Sequence, residues 1–434
     1  MKQIFLLPIF ILTTLVSFSQ NGWSICNAPE FTSRVDDVFM VNAKTGYAVC
    51  GDGQIVKTTD GGSDWFNILT NDTIYCRSVE FMNEQKGFVG GFKNHGTVSG
   101  NGYQRNVLRM TTDGGTTWTD ITDRLNPKAN GGICGLSIIG NTIYGCGNWY
   151  EDSAYIVKSI DGGDTWSFID MKSQAAHLID LNFINENEGF ATGSDIFQRA
   201  TILHTIDGGH TWTTAYVRSG DDMEYCWKIQ RLSPLIYFVS IESISPTTAP
   251  KVLKSIDGGM SWTIRDVYPT AYNIEGIGFL NELKGWTGGD EGFSFETNDG
   301  GVTWDTIHVC PEMNHVFRVN DTLVLATGTK IWKYSTNAAI SVYAPDTARF
   351  AWVYCYPNPV KGKLNVDVYI KNNTRIFLGI FDQMGRKVRS IENADKEKGY
   401  HKYYVNTEGL SNGIYYVVLK THDEKRAQKI IVGN

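Results

Sequence analysis

The sequence predicts an all-β protein, a seven-bladed β-propeller followed by a small immunoglobulin-like β-sandwich, and three observations predict it. One eight-residue pattern recurs six times between residues 58 and 304. Short alternating apolar runs fill the spaces between its copies. Past residue 350 the pattern stops and the charge changes sign: residues 21–350 hold 24 Lys and Arg against 38 Asp and Glu, and residues 351–434 hold 14 against 8. Four short strands in about 48 residues is the size of one propeller blade.

Residues 1–19 read as a secretory signal peptide. Lys2 supplies the positive start, and the apolar run 4–16, about 13 residues, is too short for a bilayer core of about 30 Å. Cleavage is expected between Ser19 and Gln20, and no later stretch is apolar and long enough to span. The first cysteine is Cys26, several residues past that point, which disfavours a lipid anchor.

The repeat follows. Its copies end at Trp65, Trp118, Trp166, Trp212, Trp262 and Trp304, and its aspartates are Asp60, Asp113, Asp161, Asp207, Asp257 and Asp299. Each copy has the chemistry of a tight hairpin. A Ser or Thr and then Asp accept hydrogen bonds from the turn's own amides, two Gly supply positive φ, and Trp packs back over the turn. A looser motif lies upstream in three copies, VEFMNEQKGFVGG (79–91), LNFINENEGFATG (181–193) and IGFLNELKGWTGG (277–289), and reads as strand, polar turn, strand.

Dividing residues 21–350 by the repeat length predicts seven blades. Residues 313–337 supply three strands without a box. The missing strand has a donor in GWSIC (22–26), whose Trp23 stands where the box Trp opens a fourth strand, so the N-terminal segment is expected to close the ring beside Lys330–Tyr334. The division is therefore 20–345 for the propeller, 346–355 for a linker and 356–434 for the tail domain. In the tail, YPNPV (356–360) is a stiff lead-in, MGRK a turn between apolar strands, and SNGIYYVV a turn entering a buried strand.

The repeated turn is identified as the Asp-box, or BNR repeat, and with the paired GxxxGG motif residues 35–310 resemble the photosystem II assembly factors of the Ycf48/Hcf136 type. Asp-boxes also occur in sialidases, xyloglucan hydrolases and sorting receptors, so this resemblance implies a fold rather than an activity. YPNPV, IFDQMGRKV (380–388), LSNGIYYVVL (410–419) and KIIV (429–432) resemble the type A C-terminal sorting domain of the Bacteroidetes type IX secretion system. That resemblance implies Sec-dependent export to the periplasm, passage through the outer membrane by the type IX machinery, and release or surface attachment. Its motif positions here are Gly385, Arg386, Gly413, Tyr415 and Lys429.

The acidic body excludes nucleic acid as a partner, because phosphate binding needs clustered Lys and Arg. No GxSxG, HExxH, phosphate-loop or strand-to-helix GxGxxG motif is present, and eight His lie without ligand spacing. No CxxC occurs; neither a metal nor a cofactor is expected. The hairpin around Gly140-Asn141 sets Cys134 opposite Cys146, either as a cross-strand disulfide or as two buried thiols. The face opposite the boxes collects the long loops 91–106, 148–155, 216–225 and 242–250. They offer Tyr103, Arg105, Trp149, Tyr150, Arg218, Asp222 and Glu224 as candidates for a glycan or protein ligand. The expected function is a secreted or cell-surface binding scaffold without turnover. The alternative is a glycoside hydrolase or lyase, sialidase-like or xyloglucanase-like, using Asp222 and Glu224. Against it, the Arg-Ile-Pro signature of sialidases is missing and only one ring is present, where xyloglucan hydrolases use two.

Overall fold

Hydrogen bonds within the repeat explain why it turns. The computed structural model describes residues 22–434 except 71–72, 95–103, 126–131, 148–153, 221–222, 244–247, 270–272, 291, 337–351, 357–358, 371, 423–424 and 434. The expected signal peptide and its cleavage point lie outside the described residues. In the first box the Thr58 hydroxyl donates to Asp60 Oδ1 at 2.9 Å and accepts the Gly62 amide at 3.0 Å. Asp60 accepts the amides of Ser63 and Asp64 at 2.9 and 3.1 Å. Gly61 and Gly62 sit at φ 77° and 82°, where an L side chain costs about 1–2 kcal/mol. The Trp65 indole donates to the Gly62 carbonyl at 3.1 Å. Thr111, Ser159, Thr205, Ser255 and Thr297 repeat the hydroxyl bonds in the other five copies.

These turns join the third and fourth strands of six four-stranded antiparallel sheets spanning 35–69, 74–120, 135–170, 177–217, 224–266 and 276–307. The first box glycine of each also donates its amide to the first-to-second turn of its own blade, as Gly61 does to Lys44 and Gly300 to Leu283, both at 2.9 Å. Both turns therefore share one face of the ring. The seventh sheet takes three strands from 315–335 and its fourth from Trp23–Ile25, with Trp23 opposite Tyr334 and Ile25 opposite Trp332. The ring closes through the chain's N-terminal strand, where the sequence places it. Trp23 is fully buried, edge-on to Trp286 at 5.1 Å and Tyr334 at 5.4 Å.

Blade contacts alternate. Tyr47, Tyr144 and Phe238 of blades 1, 3 and 5 stack on Phe81, Phe183 and Phe279 of the following blades at 3.7, 3.4 and 3.5 Å. Lys57, Lys158 and Lys254 of the same odd blades reach the next box, donating to the carbonyls of Gly114, Gly208 and Gly300 at 2.8, 2.8 and 3.0 Å. At the even blades the lysine position holds Met110, His204 and Glu296. Where the looser motif is clearest, in blades 2, 4 and 6, Phe81, Phe183 and Phe279 lie on Gly87, Gly189 and Gly285, where any Cβ would overlap the ring. Among the six boxed blades these contacts thus recur at every second blade.

The second compact unit is a two-sheet sandwich. Trp352–Tyr356, Lys363–Ile370 and Gly399–Asn406 form one sheet; Lys387–Lys396, Thr374–Asp382, Gly413–Lys420 and Lys425–Val432 form the other, in that order. Their inner faces meet in a core of Val366, Val368, Leu378, Ile380, Val417 and Leu419. The strand Trp352–Tyr356 already pairs with Lys363–Ile370, so the domain begins one strand before Tyr356, inside the expected linker. Cys134 and Cys146 do not face each other across their hairpin. Ile139 pairs with Thr142, which puts Gly135, not Cys134, opposite Cys146. A one-residue offset sends the two side chains to opposite faces of the sheet, and all eight cysteines are buried thiols.

Candidate functional site

The long-loop candidates do not assemble into a described site. Tyr103, Trp149, Tyr150 and Asp222 lie outside the described residues, and Arg105 is placed only by its backbone, opposite Lys93. Arg218 and Glu224 are ion-paired to each other, with Lys251 Nζ 3.9 Å from Glu224, whose side chain is buried between blades 4 and 5. That pair joins two blades, with the Glu224 side chain enclosed rather than open to solvent.

Charge converges instead on the channel. The seven innermost strands close a ring, the last packed against the first. Four of them step register at one level, between Val35 and Asp37, Cys76 and Ser78, Leu178 and Asp180, and Cys226 and Ile229. A bulge leaves its extra residue unpaired and re-aims the side chain. The extra residues include Asp36, Arg77, Trp227 and Lys228.

At the mouth opposite the boxes, Arg34 Nε is 2.7 Å from Asp36 Oδ1 and Arg34 Nη1 is 2.7 Å from Glu275 Oε2. Arg77 Nη1 is 3.2 Å from Asp36 Oδ2, and its guanidinium lies 5.6 Å from the Trp227 ring. Glu242, Glu275 and Asp290 bring carboxylate oxygens within 4.8 Å of one another. Tyr225 lies directly across the strand pair from Glu242, and His177 stands edge-on to Tyr225 at 5.3 Å. Burial, reinforced by Glu275 and Asp290 and opposed by Arg77 and Arg34, pushes the Glu242 carboxyl up to about 8. Burial opposes the charge on Arg34, but Asp36 and Glu275 hold it as a cation. The carboxylate trio has a spacing a cation could bridge, yet Arg34 already bonds Glu275 and lies 3.8 Å from Asp290. Its charge is met from within the fold.

One layer deeper, Asp37 is bonded to His315 and accepts the amides of Val38 and Val79 at 2.9 and 2.8 Å. Burial raises its affinity for protons, but His315 and Lys228 prevail and its carboxyl stays low. Lys228 Nζ is 3.9 Å from Asp180. His315 and Asp180 keep side-chain exposures of 24% and 15%, so they face a lumen rather than a packed core. The loop candidates missed this layer. Its signal in the sequence is charge inside an apolar strand, as in VDDVFM, CRSVEF and CWKIQR.

A closed ring of seven four-stranded sheets with charge gathered at one channel mouth, carried ahead of a β-sandwich tail, defines a β-propeller protein with an appended domain. The tail is recognised directly: residues 354–433 match the family model of the secretion system C-terminal sorting domain. The ring is similar to YCF48 bound to a D1 peptide, at 18% identity and a TM-score of 0.54, covering 74% of this chain and 99% of that one. It is similar to YCF48 from Cyanidioschyzon merolae at 16% identity and a TM-score of 0.56, over 73% and 99%. An ancestral GH74 enzyme aligns at 13% identity and a TM-score of 0.52, over 95% of this chain and 64% of that one. These identities speak to fold alone. No curated protein matches the chain. The chain is a secreted or cell-surface protein associated with the type IX secretion pathway, with a propeller of the fold seen in YCF48 and a C-terminal sorting domain. Among the described residues no helix is long and apolar enough to cross a membrane.

Proposed function

We propose that this is an Asp-box propeller that works outside the cell as a binding scaffold and receives an extended protein segment at the channel mouth opposite its boxes. One observation carries the reading: Arg34, Arg77, Glu242, Glu275 and Asp290 converge beside Tyr225 and Trp227 at that mouth. The exposed Asp290 and half-buried Tyr225 present charge and aromatic surface above the internally paired Arg34, Arg77 and Glu275, which suits a polypeptide with its own alternating charges and carbonyls. The YCF48 propeller solved with a D1 peptide is a precedent for a peptide on this fold. Tyr103, Arg105, Trp149, Tyr150 and Asp222, which the sequence assigns to loops of that face, are further candidates for the contact. The signal peptide 1–19 starts export, and the sorting domain directs the chain through the outer membrane.

The test is binding of the mature protein to arrays of extended peptides and of glycans. Asp290→Lys combined with Tyr225→Ala is expected to weaken peptide binding about tenfold or more, the loss of one charged contact and one aromatic anchor. Unchanged binding, or binding confined to glycans, overturns the reading. A hydrolase remains the second reading on one observation, a Glu242 carboxyl held protonated to about pH 8 beside Asp290, as a general acid requires. It predicts release of reducing ends from polysaccharide that Glu242→Gln abolishes.

A further inference from the structure

The sorting-motif positions mostly build the tail's fold. Asp382 Oδ1 accepts the amides of Met384 and Arg386, each at 2.9 Å, while Arg386 Nε returns to Asp382 Oδ2 at 2.8 Å and Gly385 takes φ 76°. Tyr415 is buried and its hydroxyl donates to the Ser411 carbonyl at 2.9 Å. Groups committed to a turn and a core have little left with which to meet a receptor. The outer face of the four-stranded sheet is different. Phe377 lies between the ammonium groups of Lys387 and Lys420, 5.4 and 6.0 Å from its ring, and Lys420 is also 5.7 Å from Phe381. Lys420 and Lys425 stand directly opposite each other across their strand pair, an arrangement that costs stability because like charges face. Between them and Phe381, Tyr416 and Val418 lies a shallow pocket of about 300 Å³. The one carboxylate lining it among the described residues is Asp382, which Arg386 already holds. Asp423 and Glu424 of the adjoining hairpin loop lie outside the described residues.

We propose that this face, Lys420 and Lys425 over the Phe381–Tyr416 pocket, is the surface on which the export machinery docks, through a protein segment that presents a carboxylate to the lysine pair and an apolar side chain to the pocket. The proposal rests on the sorting domain's export role. An anion seated between the lysines relieves their repulsion, and the aromatic floor supplies the desolvated contact that gives such a pair its strength.

The experiment follows the full-length chain in a bacterium with a working type IX system, comparing the surface and medium fraction with the periplasmic one. Lys420→Glu with Lys425→Glu is expected to lower the exported share about tenfold or more, with periplasmic accumulation. Lys420→Gln with Lys425→Gln, which relieves the repulsion, is expected to raise the tail's melting temperature and still impair export. Lys361→Gln with Lys363→Gln, exposed just before and at the start of the strand Lys363–Ile370 of the other sheet, is expected to export normally. Normal export of both face variants, while deletion of 352–434 blocks export, overturns the docking face and leaves the sorting role standing. Normal export of the deletion as well overturns both. A Gln pair that exports normally while the Glu pair melts below growth temperature also overturns the proposal, since the defect would then be one of folding.

Discussion

Replacing Trp23 with Ala removes a fully buried indole and its edge contacts to Trp286 and Tyr334. Truncations of this kind cost about 3–5 kcal/mol in well-packed cores. The ring spans about 300 residues, and at about 2.1 cal/mol/K per residue its unfolding entropy is near 0.65 kcal/mol/K, so the expected fall in melting temperature is about 5–8 °C. The cost reaches past one side chain. Trp23 anchors a strand that pairs with Ile331–Ser335, and Asn27, just beyond that strand, exchanges backbone bonds with Ser63 and Trp65 of the first box at 2.9 and 2.7 Å. Losing the strand leaves an open sheet edge on blade 7, which invites association between chains. Calorimetry of the mature protein, with light scattering alongside, measures both effects. A Trp23→Ala protein that melts within about 1 °C of wild type, or a 22–30 deletion that stays monomeric with an unchanged transition, refutes closure by this strand.

Thr111→Val keeps the shape of a nearly fully buried box residue but removes the hydroxyl that accepts the Gly115 amide and donates to Asp113; urea unfolding is expected to show a loss of about 1–2 kcal/mol. The box carboxylates of Asp207 and Asp257, hydrogen-bonded to the side chains and amides of Thr211 and Ser261, titrate at about 2. Their folded values lie below the unfolded one, so the stability they lend is present above about pH 4 and is lost as pH falls towards 2. The ring's melting temperature should drop through that window. Glu242 has the opposite sign: its carboxyl is raised to about 8 in the folded state. Stability is full below the ordinary glutamate range and declines as pH rises through 8, so Glu242→Gln should melt higher than wild type at pH 9 and the same at pH 4. Gly385→Val forces a β-branched residue into the left-handed turn that Asp382 caps, and is expected to destabilise the sorting domain by about 1–2 kcal/mol in its own thermal transition.

How far the sequence discloses this protein depends on what kind of interaction each element uses. Box turns are legible because every bond is made within eight residues: hydroxyl, aspartate, two glycines and indole must stand at fixed offsets. Ring closure is legible because seven sheets need one more strand than 313–337 supplies, and Trp23 lies within the segment that can provide it. The alternation of blade contacts is not legible in the motif at 79–91, 181–193 and 277–289, because an aromatic lying on glycine beneath a neighbouring blade's ring needs three dimensions. The Cys134–Cys146 reading fails by one residue because a two-residue loop pairs Ile139 with Thr142. The start of the tail is missed because Trp352–Tyr356, a single strand ahead of a proline, is hard to tell from linker. The channel mouth is the hardest. Asp36, Arg77 and Trp227 come from three blades and are turned inward by bulges at one level, while Glu275 joins them from the residue before a regular strand in a fourth, a register no single blade announces.

Hydrogen exchange of the mature protein with and without its bound peptide tests the central claim most directly. Binding at the mouth predicts slowed exchange in the backbone around residues 75–77, 225–228, 240–243 and 273–276, with the box turns at 58–65 and 205–212 unchanged. Protection centred on the box turns, or spread evenly around the outer strands, would contradict it.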